Sequence, residues 1–235
     1  MTTRNAIVTG ASSGIGLAIS KQLFTSGYKV LGIARDFSKI DLHLQAFTAC
    51  EIDLNQLDDI DKKLNQALNS ITPDVFIHSA GYGHFGSIEQ FSISQIQRAI
   101  NVNLTSAMIL SRTIVPKMRL QKHGRIIFIG SESALTAGKK GALYSAAKFG
   151  LRGLAQALRE DCASDGIHVS LINPGMVRTA FFDQLDFAPA SHFENAIEAE
   201  DVAIAVMNII NSSPNIVFDE INLSPRVKSI DFKKR

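Results

Sequence analysis

Three polar side chains, Ser131, Tyr144 and Lys148, have the types and the spacing to act together on one oxygen atom of a small molecule. A phenol beside an ammonium group can donate or accept a proton, and a serine hydroxyl can hydrogen bond the same oxygen. Tyr144 and Lys148 are four residues apart in a segment with helical spacing, so both side chains leave one face of a helix. Taken alone, the pair is equally consistent with a half-buried helix tyrosine beside a solvated lysine.

The elements around these residues predict where the three side chains meet. Residues 125–129, Arg-Ile-Ile-Phe-Ile, have the pattern of a buried strand that ends just before Ser131. A helix that starts near Leu143 then carries Tyr144 and Lys148. Because open α/β sheets bind ligands at the carboxyl ends of their strands, the three side chains are predicted to line a ligand site.

A glycine-rich turn near the amino terminus supports this interpretation. Residues 6–9 form a β-prone run, Gly10, Gly14 and Gly16 follow it, and a segment with helical spacing then continues to Gly27. In a strand, glycine turn and helix of this kind, the backbone approaches a pyrophosphate closely and the positive helix end binds it. A purely structural loop is the alternative, because glycine-rich turns are common.

The end of the second predicted strand, residues 29–33, bears on which dinucleotide would bind. An acidic residue there bonds a ribose 2′-hydroxyl, whereas a basic residue accepts a 2′-phosphate. Ala34 takes the place of the acid and Arg35 follows it, which favours NADP, with Ser12 or Ser13 as hydroxyl partners. Asp36 leaves NAD open as the alternative.

The remaining segments alternate between strand and helix patterns. Further strands are predicted at 47–52, 75–77, 168–172 and 220–223, and further helices up to about residue 70, at about 101–120 and at 200–210. This alternation predicts an α/β protein with a single-domain Rossmann fold over residues 1–235. Its sheet is expected to be doubly wound, mostly parallel and seven-stranded, with helices on both faces.

Three details of the pattern refine that expectation. Residues 173–175, Asn-Pro-Gly, are expected to break the sixth strand. Residues 176–198 contain four phenylalanines without clear periodicity, and the length of this segment indicates a substrate loop or a lid. Gly150 and Gly153 in the helix from Leu143 predict a close helix contact.

The composition limits the classes of function. With 235 residues, 46% of them apolar, and a net charge of +2, the chain is long enough for one buried core and has no excess of positive charge for nucleic acid. The basic tail, residues 233–235, is interpreted as a solvated end. No signal peptide or apolar run of about twenty residues occurs, so no membrane association is expected. Cys50 and Cys162 are predicted to be reduced thiols of a cytoplasmic protein, and no metal is expected.

Taken in order, the motifs are similar to those of the short-chain dehydrogenase/reductase family, which the chain resembles over nearly its whole length. The matching motifs are Thr9-Gly10-x-x-x-Gly14-x-Gly16, Asp53-Leu54, Ala80-Gly81, Pro174-Gly175 with Thr179, and the catalytic tetrad Asn103, Ser131, Tyr144 and Lys148. One departure is visible, because His78-Ser79 replaces the Asn-Asn that precedes Ala-Gly in the family motif. Whatever those two amides hold in place must be held differently in this chain.

The resemblance implies roles for these residues. It implies that Lys148 bonds the nicotinamide ribose, that Asn103 holds a water linked to Lys148, and that the chain forms a homodimer or homotetramer. A local hydrogen bond within its helix is the alternative for Asn103. The implied cofactor-binding residues are Gly10, Ser12, Ser13, Gly14, Ile15, Gly16, Arg35, Asp53, Leu54, Ala80, Gly81, Tyr144, Lys148, Pro174, Gly175, Val177 and Thr179.

The expected activity is hydride transfer between NADP(H) and a small carbonyl or alcohol substrate. Tyr144 is expected to be the proton donor, with its pKa lowered towards 7 by Lys148 and by an oxidised nicotinamide, and Ser131 to bond the substrate oxygen. The carboxyl-terminal segments resemble the branch that acts on serine and other 3-hydroxy acids. The phenylalanines of 176–198, with Tyr82, His84 and Phe85, equally suit a larger apolar or aromatic carbonyl. An NAD-dependent alcohol dehydrogenase, or an NADP-sensing protein without turnover, is the alternative function.

Overall fold

The structure is a computed structural model that describes residues 4–38, 40, 46–69 and 71–233. Three predictions concern positions outside these ranges: the absence of a signal peptide at residues 1–3, a helix end near residue 70, and the last two residues of the basic tail.

The described residues form two sheets. The strands are β1 Arg4–Thr9, β2 Tyr28–Ala34, β3 Phe47–Glu51, β4 Val75–His78, β5 Gly124–Ile129, β6 Ile167–Pro174, β7 Phe187–Pro189, β8 Glu220–Leu223 and β9 Ile230–Phe232. Seven of them form one sheet in the order β3-β2-β1-β4-β5-β6-β8, and every neighbouring pair is parallel. The predicted seven-stranded sheet is confirmed, and the strand order reverses between β1 and β4, where such sheets bind ligands.

Helices cover both faces of this sheet, as the sequence predicts. They are α1 Gly14–Thr25, α2 Leu57–Ala67, α3 Ile93–Ile100, α4 Ser106–Gln121, α5 Ala142–Cys162 and α6 Ala199–Ile210. Side chains of α1 and α6 form one buried cluster with the sheet, and those of α2, α4 and α5 form the other. Successive strand residues supply opposite clusters, as Ile7 and Val8 do. Because both faces of the sheet are covered at its centre, β1, β4 and β5 are mainly apolar.

The sixth strand continues further than the sequence suggests. Asn173 and Pro174 pair with Asn222 and Leu223 of β8, so the predicted break at 173–175 is wrong. Leu171 and Gly175 donate their N–H groups to the β8 side, to Asp219 O at 3.1 Å and Leu223 O at 2.7 Å. Pro174, at the alternate position, directs its donorless nitrogen towards β5, which has already ended at Ile129. The ladder therefore loses no hydrogen bond at the proline.

The segment before β5 is interrupted rather than being one helix. Residues Asn101–Thr105 form a π-helical turn between α3 and α4.

The close contact predicted for α5 is present at Gly150, where a Cβ would lie 2.6 Å from Leu104 Cδ2. At Gly153 a Cβ would meet nothing within 4 Å, so the prediction is wrong there.

The 176–198 segment has structure that its sequence does not reveal. It contains β7, which pairs antiparallel with β9, so the strand at 220–223 is not the last one. All three residues of β9, Ile-Asp-Phe, are exposed, and the strand is only three residues long. A three-residue exposed strand has too little periodicity to be recognised from sequence.

Candidate active site

The four predicted catalytic side chains come from three neighbouring elements. Ser131 follows β5, Tyr144 and Lys148 lie in the first two turns of α5, and Asn103 lies in the π-helical turn. All four are buried, with Asn103 at 0% and Tyr144 and Ser131 at 8% exposure. The Lys148 Nζ lies 5.7 Å from the centroid of the Tyr144 ring. The structure thus brings the predicted pair together beside the end of β5.

Ser131 is oriented through its backbone and its hydroxyl. Its N–H donates to Asn173 Oδ1 at 3.3 Å, and its Oγ accepts a hydrogen bond from Ser133 N–H at 3.1 Å. Since this N–H group occupies a lone pair of Oγ, the hydroxyl hydrogen is available for donation towards another oxygen. Ser133, the neighbouring serine, supports Ser131 through its backbone.

Asn103 binds the backbone that follows β4. Its Nδ2 donates to Ala99 O at 2.9 Å and to Tyr82 O at 3.1 Å, and its Oδ1 accepts from Tyr82 N–H at 3.3 Å. A Cβ on Gly81 would lie 2.8 Å from Asn103 Oδ1 and 3.5 Å from Lys148 Nζ. Asn103 therefore bonds locally within its helix, as the alternative interpretation holds, and also holds the 81–82 backbone next to Lys148.

Burial dominates the pKa values at the centre of the site. It raises the pKa of Tyr144 to about 12, the Ser131 side chain partly offsets this, and the charge of Glu132 adds to it. Burial also lowers the pKa of Lys148 to about 8. That Lys148 lowers the pKa of Tyr144 when an oxidised nicotinamide is bound stays a prediction. Lys148 Nζ donates to the backbone carbonyl of Ile129 at 3.0 Å.

The departure at His78 is part of a buried hydrogen-bond group that the sequence does not reveal. The Thr9 hydroxyl accepts from the N–H groups of Ser79 at 3.1 Å and Ala80 at 3.0 Å, and it lies 3.2 Å from His78 Nδ1. With both lone pairs used, Thr9 must donate its hydrogen to Nδ1, so the His78 proton is on Nε2. Burial, with the charge of Lys148, lowers the pKa of His78 to about 3. His78 is therefore neutral and helps to hold the end of β4.

The glycine turn brings backbone segments close together at the start of α1. Gly10 and Gly14 have φ of +67° and +49°, and a Cβ on Gly16 would lie 2.2 Å from Gly10 O. The Ser13 side chain makes no capping hydrogen bond at the start of α1, so the first N–H groups of the helix are open to an anion such as a phosphate. A Cβ on Gly14 would lie 3.1 Å from Thr179 Cγ2, so the turn adjoins the chain after β6.

The other predicted cofactor residues lie along the same edge of the sheet. Arg35 is exposed directly after β2, and the Asp36 carboxylate accepts hydrogen bonds from Ser38 N–H at 2.7 Å and Ser38 Oγ at 2.9 Å. Asp53 accepts a hydrogen bond from Asn55 N–H at 3.0 Å. The remaining members are buried Leu54, Pro174 and Val177, and half-buried Ser12, Ile15, Ala80, Gly175 and Thr179.

Aromatic side chains from two loops surround Tyr144. We call Phe85, Tyr144, Phe181, Phe182 and Phe187 the aromatic cluster. The ring centroids of Phe85 and Phe181 lie 5.2 Å and 5.9 Å from that of Tyr144. The sequence suggests an apolar site from these phenylalanines, but not which of them reach Tyr144.

Sequence reasoning also missed Asn173. Its side chain is buried at 1% exposure, and its Nδ2 donates to Glu220 Oε1 at 2.7 Å and to Asn222 Oδ1 at 3.0 Å. Arg152 Nε in turn donates to Glu220 Oε2 at 3.0 Å. A polar residue inside a strand that is otherwise apolar was the available signal, because buried amides are found where they are hydrogen bonded.

The described residues carry no sign of a metal centre or a membrane segment. Residues 4–38, 40, 46–69 and 71–233 contain no group of three His, Cys, Asp or Glu side chains arranged to hold a metal ion. Over the same ranges, no helix combines the length and the apolar character that crossing a membrane requires.

Comparison with known proteins identifies the family. An open parallel sheet with a glycine turn at its switch point and a buried Tyr-Lys pair at the same edge defines a Rossmann-type α/β enzyme fold. The sequence profile described as short chain dehydrogenase matches residues 4–188. The chain therefore belongs to the short-chain dehydrogenase/reductase family and is an oxidoreductase.

Individual relatives agree with this assignment. An uncharacterized oxidoreductase of Staphylococcus epidermidis is 28% identical over 225 residues, covering 94% of this chain and 96% of the relative. The structure of a metagenomic short-chain oxidoreductase in complex with NADP is 29% identical, has a TM-score of 0.82 and covers 96% and 98% of the two chains. A 4-hydroxyisoleucine dehydrogenase complexed with NADH and succinate is 24% identical, with a TM-score of 0.83 over 94% and 97%, and shows the same fold.

Proposed function

We propose that this oxidoreductase transfers a hydride between NADP(H) and a carbonyl or alcohol substrate, with Ser131, Tyr144, Lys148 and Asn103 as its catalytic group. The observation that carries the proposal is the burial of Ser131, Tyr144 and Lys148 together at the carboxyl end of β5, beside the edge that holds the glycine turn. Burying a phenol and an ammonium group without a reaction for them to serve would only cost stability.

The residues divide the work of carbonyl reduction. Bound NADPH supplies the hydride. Tyr144 donates the proton that the carbonyl oxygen gains, and the Ser131 hydroxyl hydrogen bonds that oxygen as negative charge develops on it. Lys148 Nζ lies beside Gly81 and donates to Ile129 O. From this position its positive charge favours the Tyr144 phenolate left after proton transfer. Asn103 keeps the 81–82 backbone against Lys148.

The glycine turn and the strand ends are the proposed cofactor site. Gly10, Gly14 and Gly16 leave room for a pyrophosphate at the start of α1. Exposed Arg35 supports NADP over NAD, because a guanidinium group can bond a 2′-phosphate in bidentate fashion. Asp36 is engaged by Ser38, which makes its carboxylate less available to a ribose hydroxyl. The NADP complex of the metagenomic relative adds support.

The proposal is tested by titrating the purified chain with NADPH and NADH and following nucleotide fluorescence. Tighter binding of NADPH is expected, followed by its oxidation when aldehydes, ketones and 3-oxo acids are added in turn. Binding of the nucleotide without oxidation by any of these would instead support an NADP-sensing protein. Binding of neither nucleotide would contradict the assignment of the turn at Gly10–Gly16.

The NADP preference has its own variant. Arg35→Ala should lower the ratio of NADPH to NADH affinity about 10- to 100-fold, the loss expected for a charge-assisted hydrogen bond of about 1.5–3 kcal/mol. Arg112→Ala, which removes another exposed arginine, should leave the ratio unchanged. An unchanged ratio in Arg35→Ala would contradict the preference.

Four further predictions from the sequence belong to this proposal. They are a single domain over residues 1–235, a substrate loop at 176–198, a homodimeric or homotetrameric assembly, and a cytoplasmic location. Light scattering of the purified chain would measure one of them, the number of subunits.

A further inference from the structure

The aromatic cluster forms a closed circuit that includes the proposed proton donor. Phe85 contacts Tyr144 at 5.2 Å between ring centroids, and Tyr144 contacts Phe181 at 5.9 Å. Phe181 contacts Phe182 at 5.1 Å, Phe182 contacts Phe187 at 5.9 Å, and Phe187 contacts Phe85 at 5.1 Å. Each ring therefore touches two others, and the wall around the Tyr144 phenol is aromatic.

A glycine permits the two loops of the cluster to approach each other. A Cβ on Gly83 would lie 2.5 Å from Phe181 Cζ and 2.8 Å from Phe85 Cε2. Such contacts are shorter than real Cβ atoms make, so any larger residue at Gly83 would displace one of the rings. The approach of Phe85 and Phe181 is therefore built into the chain at this position.

The cluster is held in place but is not fully buried. The pairing of β7 with β9 holds Phe187, and Lys233 Nζ donates to Phe182 O at 2.6 Å and to Asp183 O at 3.0 Å. Phe85, Phe181 and Phe187 are nevertheless only half-buried. These half-buried rings thus keep exposed apolar surface on loops whose rings contact the buried Tyr144.

Three cations of the surrounding segments, Arg178, Lys228 and Lys233, already have partners within the chain. Arg178 Nε lies 3.2 Å from Glu198 Oε1 and its Nη2 donates to His192 O at 3.1 Å. Lys228 is paired with Glu132, and Lys233 is used by backbone carbonyls. To bind any of these three cations, a substrate carboxylate would have to displace its acceptor, and breaking such a pair has a free-energy cost. Lys140, whose carbonyl accepts from Gly86 N–H at 2.8 Å, borders the cluster with an exposed side chain.

We propose that the substrates are flat apolar carbonyl compounds, aromatic aldehydes or ketones and the corresponding alcohols, which bind against Phe85 and Phe181, and that small 3-hydroxy acids are poor substrates. This inference rests on the proposed function. In the reaction, the carbonyl carbon gains a hydride from NADPH and the carbonyl oxygen gains a proton from Tyr144. The aldehyde or ketone is reduced to its alcohol, NADPH is oxidised to NADP⁺, and one proton taken from solvent returns Tyr144 to its neutral form, so atoms and charge balance.

The test compares three carbonyl compounds and two variants. Values of kcat/KM are measured for benzaldehyde, propanal and a short 3-oxo acid in the wild type, Phe181→Ala and Gly83→Ala. The wild type should prefer benzaldehyde over propanal at least about tenfold. Phe181→Ala should lower kcat/KM for benzaldehyde about 10- to 100-fold and for propanal less than about threefold. Gly83→Ala, which displaces the Phe181 or Phe85 ring without deleting it, should reduce the preference for benzaldehyde over propanal.

Phe193→Ala is the matched control. Phe193 lies in the 176–198 segment with its side chain 80% exposed, outside the aromatic cluster. Its removal should leave the ratio of the benzaldehyde and propanal constants unchanged. Equal losses in Phe181→Ala and Phe193→Ala would mean that general loop damage, rather than a ring contact, changes the activity, and would overturn the inference.

A binding measurement separates this inference from the proposed function. The affinities of benzyl alcohol and 3-hydroxypropanoate are measured by calorimetry in the wild type, Phe181→Ala and Lys140→Ala. Benzyl alcohol should bind more tightly, and its affinity should depend on Phe181 and not on Lys140. If no carbonyl is reduced but this dependence holds, the proposed function fails and the ligand class stands. Preference for the hydroxy acid with dependence on Lys140, alongside turnover of the 3-oxo acid, would overturn the ligand class and leave the function.

Discussion

The two sides of the candidate site are built in different ways. On the polar side, Ser131, Asn103 and Lys148 each hydrogen bond to backbone atoms or to a buried amide. On the apolar side, Phe85 and Phe181 contact Tyr144 through their rings and remain half-buried on loops. Hydrogen bonds are directional, whereas most of the free energy of ring contacts comes from buried apolar area. The groups proposed for chemistry thus lie on the sheet and its helices, and those proposed for substrate choice on the loops.

This difference separates the expected effects of substitutions. Changes on the polar side should lower turnover of every substrate, and several should also lower stability, because a buried partner is left unsatisfied. Changes on the apolar side should alter the ranking of substrates with little effect on unfolding. Four experiments, with expected effects of decreasing size, test this contrast between the two sides.

The largest effect is expected for the Tyr144 hydroxyl. Tyr144→Phe removes the proposed proton donor while keeping the ring within the aromatic cluster, so kcat should fall about 10²- to 10⁴-fold for every carbonyl. NADPH affinity, measured by fluorescence titration, should change little. Tyr82→Phe serves as the control, because it removes another phenol from a loop beside the site. Turnover within tenfold of the wild type would show that another group donates the proton.

The next effect concerns Asn173. Asn173→Ala leaves the Ser131 N–H without its acceptor and should lower the free energy of unfolding by about 1–3 kcal/mol, measured in urea. As Ser131 shifts, kcat should fall roughly 10- to 100-fold with less change in KM. Asn222→Ala, which removes an exposed partner of Asn173, is the control. Loss of stability with unchanged kcat would mean that Asn173 has only a structural role.

Acid sensitivity should reveal His78. Its folded pKa of about 3 is below the usual value of 6.5, so between these values the unfolded chain binds a proton that the folded chain does not. Stability is therefore lost as the pH falls, by about 1.4 kcal/mol from pH 7.5 to 5.5 for this group. His168, whose pKa is also lowered mainly by burial, acts in the same direction.

Urea unfolding at the two pH values measures this loss. In His78→Asn, the free energy of unfolding lost between pH 7.5 and 5.5 should be smaller than in the wild type. His123→Asn, at an exposed position, should change this loss much less. An acid loss that is as large in His78→Asn as in the wild type would mean that His78 is not held neutral in the folded chain.

The smallest effect is expected at the support of the aromatic cluster. Lys233→Ala removes hydrogen bonds to the carbonyls of Phe182 and Asp183 and should cost less than about 1 kcal/mol of stability, because the lysine is exposed. The KM for benzaldehyde should rise about twofold with kcat unchanged. Lys62→Ala on α2 is the control. A fall in kcat for all carbonyls would contradict the expectation that changes on the apolar side affect substrate preference and not turnover.

Much of the fold and of the candidate site could be predicted from local sequence patterns. The strand and helix alternation, the glycine turn and the helical spacing of Tyr144 and Lys148 are properties of short segments, so periodicity and backbone chemistry were enough to predict them. The same patterns misjudged residues 173–175, because whether a proline ends a strand depends on which side of the ladder its nitrogen faces.

The fold class, the family and the candidate catalytic residues could be predicted from the sequence, since they depend on residue types at short spacings. How these residues are held in position and shielded from solvent depends on the tertiary structure. Ser131 meets Asn173 across 42 positions, Thr9 meets His78 across 69, and the cluster closes around Tyr144 from loops after β4 and β6. Such contacts, and the burial that raises the pKa of Tyr144, arise only when distant segments pack together, which no local pattern encodes.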